Sequence, residues 1–148
     1  REHRPRTTFL PLFISDVSDE QATLYVTANN DLVSSGVREF TQSWGDVTPT
    51  ITTTATLDDV LDRLKIERVD FLSMDIELAE PQALAGFSIA RFAPALVAIE
   101  AHPPVRQQIL EYFFRNGYIL IGRYWRGGPP KFLVSPVGGS GGEGRGEG

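Results

Sequence analysis

Short apolar runs alternate with polar, turn-forming segments along this chain of 148 residues. Runs of four to eight apolar, β-branched or aromatic residues bounded by turn signals are typical of strands. The most continuous runs predict strands covered on both faces, and the run at 9–14 is expected to be one of these buried strands. We predict strands at 9–14, 22–27, 48–54, 69–74, 95–99, 118–121 and 131–134.

Helical periodicity lies between several of these strands. Apolar residues recur at i, i+3, i+4 and i+7 over 57–64, and Thr56 begins a sequence that resembles a capping box. A short helix is predicted over 80–86, where proline follows the first residue and glycine ends the segment. A longer helix is predicted to open at Pro103-Pro104 and to end at Asn116-Gly117, and its apolar residues between 105 and 114 share one face. The polar segment 28–46 is interpreted as a long loop.

The order of these elements predicts a fold class. From residue 57 onward, helices alternate with apolar strands, which favours right-handed crossovers and a mostly parallel α/β sheet with helices on both faces. The last two strands are expected to form a C-terminal antiparallel hairpin. In such doubly wound sheets, ligands bind beyond the carboxyl ends of the strands.

Composition and charge argue against several classes of protein. A net charge of −5 argues against nucleic acid as the main partner. The sequence contains no cysteine, which excludes disulfides and thiolate metal sites and is consistent with a cytoplasmic location. No apolar run reaches the ~20 residues of a membrane span, and no signal peptide is visible.

The two ends of the chain differ in composition from its middle. Arg1, His3, Arg4 and Arg6 form a small basic arm, interpreted as a frayed terminus. Residues 138–148 are rich in glycine and are predicted to be a flexible tail, because they offer no apolar area that would offset the entropy of ordering. The domain is therefore predicted to span residues 1–137.

Acidic residues and one histidine follow two buried strands. Asp75 and Glu77 come after the strand at 69–74, and Glu100 and His102 come after the next one. Neighbouring strand ends lie ~5 Å apart, so these groups are expected to meet. Together they suit proton abstraction from a hydroxyl or a Mg²⁺ site, with Asp75 and Glu100 as the metal pair and His102 a less suitable ligand for so hard a cation.

Each of these residues also has a purely structural interpretation. Glu77 and Glu80 can stabilise the N-terminus of the helix that follows them. His102 can be a structural histidine. The segment 123–126 (Arg-Tyr-Trp-Arg) can stack on a ring-shaped ligand, but it also suits the two faces of a hairpin.

The ordered motifs resemble those of the FkbM-type methyltransferases. That family has a "TLDD" helix, a strand close to "IDFLKIDVEGAE", an "LxG" element, and a later strand that opens with "GY". Here the corresponding segments read TLDD at 56–59, VDFLSMDIELAE at 69–80, LAG at 84–86, ALVAIEAH at 95–102 and NGY at 116–118.

The resemblance implies a Rossmann-like class I methyltransferase fold and methyl transfer from S-adenosylmethionine, usually to a hydroxyl oxygen. Asp75 matches the motif aspartate beside the cofactor's methionine end and the acceptor, and Glu77 matches the motif glutamate. With His102, they form the expected catalytic set. Ser15 and Asp16 follow the third strand of that fold, where the adenine is commonly contacted. The expected partner is a small-molecule or glycan hydroxyl.

Two departures from the family pattern affect these expectations. Leu78 stands where the motif has glycine after Glu77. Nothing before Phe9 offers the first two strands or the glycine-rich cofactor turn. We therefore expect a partial domain whose open sheet edge is covered by a preceding segment or by a second copy in a homodimer.

Two rival functions follow from the same sequence. A non-catalytic, truncated α/β module accounts for the missing glycine-rich turn. A Mg²⁺-dependent phosphoryl-transfer domain also collects acids at strand ends, but it requires a lysine near the phosphates. Lys65 and Lys131, the only two lysines, are interpreted as poorly placed for that role.

Overall fold

The computed structural model describes residues 6–27, 34–43, 45–124 and 129–138. The basic arm before Arg6, Trp125 and Arg126, and the glycine-rich tail after Gly138 lie outside these ranges. The strands of the described part are β1 Phe13–Ile14, β2 Gln21–Thr27, β3 Ser34–Ser35, β4 Val47–Ala55, β5 Phe71–Met74, β6 Leu96–Glu100, β7 Tyr118–Tyr124 and β8 Lys131–Pro136. Its helices are α1 Arg38–Gln42, α2 Leu57–Arg63, α3 Glu80–Ala85, α4 Ile89–Phe92 and α5 Arg106–Arg115.

The strands form two separate four-stranded sheets. The first has the order β1-β4-β2-β3, and the second has the order β5-β6-β8-β7. In the first sheet, β2 and β4 pair antiparallel along their length, from Gln21 opposite Thr53 to Thr27 opposite Val47. In the second sheet, β5 and β6 are parallel neighbours, whereas β8 runs antiparallel to both β6 and β7.

The prediction of a single, mostly parallel Rossmann-like sheet is wrong. Among the described strands, only β1–β4 and β5–β6 pair in parallel, and the other ladders are antiparallel. Strand β1 forms its hydrogen bonds with β4, and no described ladder joins the first sheet to the second. Apolar periodicity identifies strands, but it contains no information on which strands exchange hydrogen bonds. The expected antiparallel pairing of the last two strands is present.

The prediction of a buried strand at 9–14 is also wrong for residues 9–12, and the strand that does form is half-buried. Only Phe13 and Ile14 join a ladder, and the Phe9 side chain is 76% exposed. An apolar run is buried only where other elements cover it, and none of the described elements covers Phe9.

The hydrophobic core lies in the second sheet and the helices packed on it. Fully buried side chains from α4, β6, α5 and β8 form its centre. The Tyr118 hydroxyl donates a hydrogen bond of 2.8 Å to the Pro94 carbonyl within this core. The central members are Phe92, Val97, Ile99, Ile109, Phe113 and Val134.

Helix α2 begins as its sequence predicts. The Thr56 side chain accepts a hydrogen bond from the Asp59 N–H at 3.1 Å, which satisfies one free donor of the first turn. The second hydrogen bond of a capping box, from the Thr56 N–H to the Asp59 side chain, does not form. Instead, the Thr56 N–H donates to Ser18 Oγ at 2.8 Å, and this hydroxyl donates in turn to Asp59. Ser18 therefore attaches the start of α2 to the first sheet.

The interpretation of 28–46 as a loop is wrong where the structure describes it. Strand β3 and helix α1 lie within this segment. Both elements are short, and α1 has no helical cap from a side chain. They form because Thr41 packs in the interior and Ser35 is bonded to a distant turn, which are tertiary contacts that local patterns do not reveal.

Candidate active site

The site lies where β5 and β6 end side by side. These parallel neighbours pair Met74 with Ile99, so Asp75 and Glu100 are the next residues of each strand. The Asp75 carboxyl is close enough to Glu100 to raise the pKa of the Glu100 carboxyl. The prediction that the acidic strand ends meet is confirmed.

Three side chains converge beyond these strand ends, and we call them the carboxyl-end cluster: Glu77, Glu100 and His102. His102 Nε2 lies 3.1 Å from Glu77 Oε2 and 3.0 Å from Glu100 Oε2. The ring of Phe40 packs edge-on against His102, with 5.3 Å between the ring centroids. The imidazole is thus fixed by two carboxylates and one aromatic ring.

Glu100 has an unusual protonation behaviour. Its side chain is nearly buried, and burial together with the adjacent carboxyl of Asp75 raises the pKa of Glu100 to about 7. Removing a carboxylate from water disfavours its charged form, and a second carboxylate adds to the effect. The arrangement therefore holds a group that can exchange a proton near neutral pH.

Asp75 lies beside the cluster and has a cationic partner. Lys131 Nζ, at the start of β8, is 2.6 Å from Asp75 Oδ2. The hydrogen bond to Asp75 is the main reason that the pKa of Lys131 is raised. The interpretation of Lys131 as poorly placed for a lysine near the site is therefore wrong, because the antiparallel β8 brings its first residue opposite Glu100.

The backbone after β5 turns sharply to bring Glu77 into the cluster. Glu77 and Leu78 adopt φ values of 55° and 75°, in the left-handed region that favours glycine. The Ser35 hydroxyl donates a 2.6 Å hydrogen bond to the Glu77 carbonyl and stabilises this turn. The glycine of the family motif therefore corresponds to a position with positive φ, which leucine occupies here at a cost in strain.

Glu80 follows the turn and is fully buried. Its Oε1 accepts a hydrogen bond from the Ile76 N–H at 3.0 Å, whereas its Oε2 has no partner among the residues that the structure describes. Burial raises the pKa of Glu80, and the charges of His102 and Asp75 also act on it. Glu80 is therefore a buried side chain that is hydrogen-bonded to the turn before α3, and it is not a surface charge.

A cavity of about 560 Å³ opens beside the cluster. Asp75 and Glu77 form part of its wall, and Ser34 and Ser35 add hydroxyl groups. The remainder is mainly apolar and comes from the segment before β1 and from the first sheet. Its apolar lining includes Phe9, Leu12, Phe13, Leu24, Ile51 and Ile76. The volume lies in the range of small-molecule and cofactor sites.

The other two predicted cofactor residues, Ser15 and Asp16, face a different depression. They line a neighbouring cavity of about 360 Å³ that shares Phe13 with the first. Asp16 Oδ1 accepts hydrogen bonds from Gln82 at 3.0 Å and from Ser15 at 2.9 Å, and these bonds lower the pKa of Asp16. The geometry thus brings Asp75 to the larger cavity and keeps Ser15 and Asp16 apart from it.

Several contributors to the site were not found from the sequence. Phe40, Ser35 and Lys131 come from elements far along the chain from the motif residues. No local signal identifies them, because each acquires its role through sheet pairing or packing. Of the cluster at 123–126, Arg123 and Tyr124 are exposed on β7, and the other two residues lie outside the described ranges.

No described helix is long and apolar enough to cross a membrane.

No curated protein and no solved structure is significantly similar to the chain. Residues 2–120 match the methyltransferase FkbM domain, and this match covers most of the chain and includes every motif residue described above. This chain belongs to the FkbM methyltransferase domain family.

Proposed function

We propose that this protein is an S-adenosylmethionine-dependent O-methyltransferase that acts on a hydroxyl of a small molecule or a glycan. The observation that carries the proposal is that Glu77, whose Oε2 lies 3.1 Å from His102 Nε2, forms part of the wall of the 560 Å³ cavity. A histidine held between two carboxylates, one of which lines a ligand-sized cavity, is suited to accept a proton from a bound hydroxyl.

The residues around the cavity fit the proposed cofactor. S-adenosylmethionine combines a flat purine with a cationic sulfonium and an ammonium group. The cavity offers apolar and aromatic side chains such as Phe13 and Leu24 over most of its wall, and the carboxylates of Asp75 and Glu77 at one side. Apolar surface favours the purine, and carboxylates favour the cationic end.

When bound, the cofactor supplies a methyl group whose bond to sulfur breaks with the electron pair remaining on sulfur. The acceptor oxygen forms the new bond to carbon and loses its proton. In our proposal, His102 accepts that proton, and the carboxylates of Glu77 and Glu100 stabilise the resulting imidazolium. Asp75, held by Lys131, orients the acceptor or the cationic end of the cofactor.

Positioning supplies most of the rate in this chemistry, because an in-line arrangement of donor and acceptor converts a bimolecular step into a unimolecular one. The edge-on contact of Phe40 fixes the ring of His102 and supports such positioning. Ser15 and Asp16 remain the proposed adenine contacts. This role requires the cofactor to extend past Phe13, where the two cavities adjoin.

Three further aspects of the function remain proposals. Mg²⁺ at Asp75 and Glu100 is one of them, and there Lys131 competes for the Asp75 carboxylate. A cytoplasmic location is suggested by the lack of cysteine. The expected partners are the hydroxyl acceptor and a second copy of the chain in a homodimer.

Titration calorimetry of the full chain with S-adenosylmethionine tests the first step. We expect binding that is weakened in Asp75→Asn and unchanged in Asp70→Asn, its control at the opposite end of β5, where the side chain is 94% exposed. Transfer of labelled methyl groups to a panel of sugars and phenols then tests the reaction. We expect His102→Ala to lower kcat by about 10²-fold or more, the usual contribution of a general base.

Two results would contradict the proposal. If the folded chain binds no S-adenosylmethionine, the alternative of a non-catalytic α/β module becomes the better description. If methyl transfer occurs but is equally fast in His102→Ala, the family activity stands and the proposed proton acceptor is wrong.

A further inference from the structure

We propose that Glu77, Glu100 and His102 together bind one first-row divalent metal ion, with Mn²⁺ as the ion that best suits the set. The three ligand atoms all lie within 4.8 Å of one another. This set differs from the Asp75–Glu100 pair that the sequence suggests, and it includes the imidazole. The inference concerns metal binding alone. It is an alternative to the proton-acceptor role proposed above for His102, because an imidazole whose Nε2 binds a metal ion has no free lone pair to accept a proton.

The distances within the carboxyl-end cluster match those of a coordination sphere. Two neighbouring ligands at about 2.1 Å from an octahedral ion lie roughly 3.0 Å apart. His102 Nε2 is 3.1 Å from Glu77 Oε2 and 3.0 Å from Glu100 Oε2. The imidazole is thus already spaced from both carboxylates as an adjacent ligand would be.

Glu80 provides an independent observation at the same place. Its side chain is 0% exposed, and Oε2 has no hydrogen-bond partner in the described part of the chain. Its other oxygen, Oε1, accepts a 3.0 Å hydrogen bond from the N–H of Ile76, the residue before Glu77, which places the carboxyl beside the turn that carries Glu77. A buried carboxylate oxygen without a partner is costly, and a cation close to it offsets that cost.

The ligand types discriminate among metals. Carboxylates suit Mg²⁺, Ca²⁺ and Mn²⁺, whereas an imidazole favours transition ions. Two carboxylates and one imidazole therefore favour Mn²⁺, or a later first-row ion, over Mg²⁺. Asp75 is paired with Lys131 and is not needed as a ligand. Since Glu77 also lines the cavity, the remaining coordination positions can hold water or an oxygen ligand from that side.

The competing explanation is an ion triad in which a protonated His102 donates to both carboxylates and no metal is needed. Both explanations fit the same distances, so binding must be measured directly. The side chains of Glu77 and His102 are 22% and 12% exposed, which leaves an entry path for an ion.

The test is a titration of the full-length chain with MnCl₂, followed by calorimetry and by the loss of the free Mn²⁺ signal in electron paramagnetic resonance. We expect one ion per chain. Glu77→Gln and Glu100→Gln should each weaken binding at least about tenfold, because each removes a charged ligand but preserves its shape. Glu67→Gln, an exposed glutamate in the loop after α2, is the matched control and should bind as the parent does.

Circular dichroism establishes that each variant is folded, and Glu77→Gln carries the test if the more buried Glu100→Gln does not fold. The absence of Mn²⁺ binding by the folded parent chain overturns the proposal. Equal weakening in Glu77→Gln and Glu67→Gln does so too, because it indicates diffuse surface binding. A Mg²⁺ titration should give at least tenfold weaker binding than Mn²⁺, and equal affinities would remove His102 from the ligand set.

Discussion

Lys131 Nζ lies 2.6 Å from Asp75 Oδ2, although 55 residues separate the two in sequence. Asp75 directly follows β5 and Lys131 begins β8, and the two residues flank Glu100 at the end of β6. The order β5-β6-β8 therefore brings one cation to a group of carboxylates. The charge of Lys131 reduces the repulsion among these carboxylates, and Glu77 and Glu100 face His102.

The Lys131–Asp75 pair is expected to contribute little to stability. The two side chains are 41% and 42% exposed, so solvent screens their attraction. A double-mutant cycle with Lys131→Met and Asp75→Asn, measured by urea unfolding, should give a coupling energy of at most about 1 kcal/mol. A coupling above 2 kcal/mol would mean that the pair is more strongly desolvated than its exposure indicates.

Glu100 should make the protein less stable as the pH rises toward neutrality. The ordinary pKa of 4.5 is raised to about 7 in the folded chain, so between these values the folded state holds a proton that the unfolded state has released. The free energy of unfolding therefore falls with pH in this window, by at most about 3 kcal/mol from this group.

Urea unfolding at pH 5 and pH 7 measures that effect. Glu100→Gln carries no titrating group at this position and should lose less stability than the parent over this interval. Glu67→Gln should show the parent's full loss. Identical pH slopes in parent and Glu100→Gln would contradict the raised pKa.

At position 78, glycine is expected to give a more stable protein than alanine. The Leu78 φ of 75° is strained for any residue with a Cβ and is unstrained for glycine. Both substitutions remove the leucine side chain, so their difference isolates the backbone. We expect Leu78→Gly to be more stable than Leu78→Ala by roughly 1 kcal/mol in chemical denaturation. Alanine as the more stable replacement would mean that the turn relaxes to negative φ.

Gly86 is expected to tolerate no side chain. A Cβ at this position would lie 2.5 Å from the Ser15 carbonyl oxygen and 3.0 Å from Asp16 Cα, and these backbone atoms cannot move independently. Gly86→Ala should cost about 1–3 kcal/mol by overpacking.

Gly122→Ala is the control for this substitution. Its Cβ would meet only the Leu133 side chain, at 3.4 Å, and the expected change in unfolding free energy is below about 1 kcal/mol. Equal effects of the two alanine substitutions would contradict the close approach of Gly86 to the Ser15–Asp16 turn.

The sequence by itself determined the local structure and the family. Apolar periodicity identified β2, β4, β5 and β6 and the helices α2, α3 and α5 near their observed bounds, because hydrophobic spacing and capping residues act within a few positions. The motif residues from Thr56 to Tyr118 indicated the FkbM family, and the match of residues 2–120 to the methyltransferase FkbM domain confirms this family.

Only the tertiary structure decided which strands pair and which side chains meet. The pairing of β1 with β4 divides the strands into two mixed sheets, and an apolar strand has the same pattern whichever neighbour accepts its hydrogen bonds. The contact of His102 with Glu77 depends on the left-handed turn at Glu77 and Leu78. Its contact with Phe40 depends on helix α1, which no side chain caps. Both the turn and the helix are stabilised by contacts between residues distant in sequence, so patterns along the chain cannot predict them.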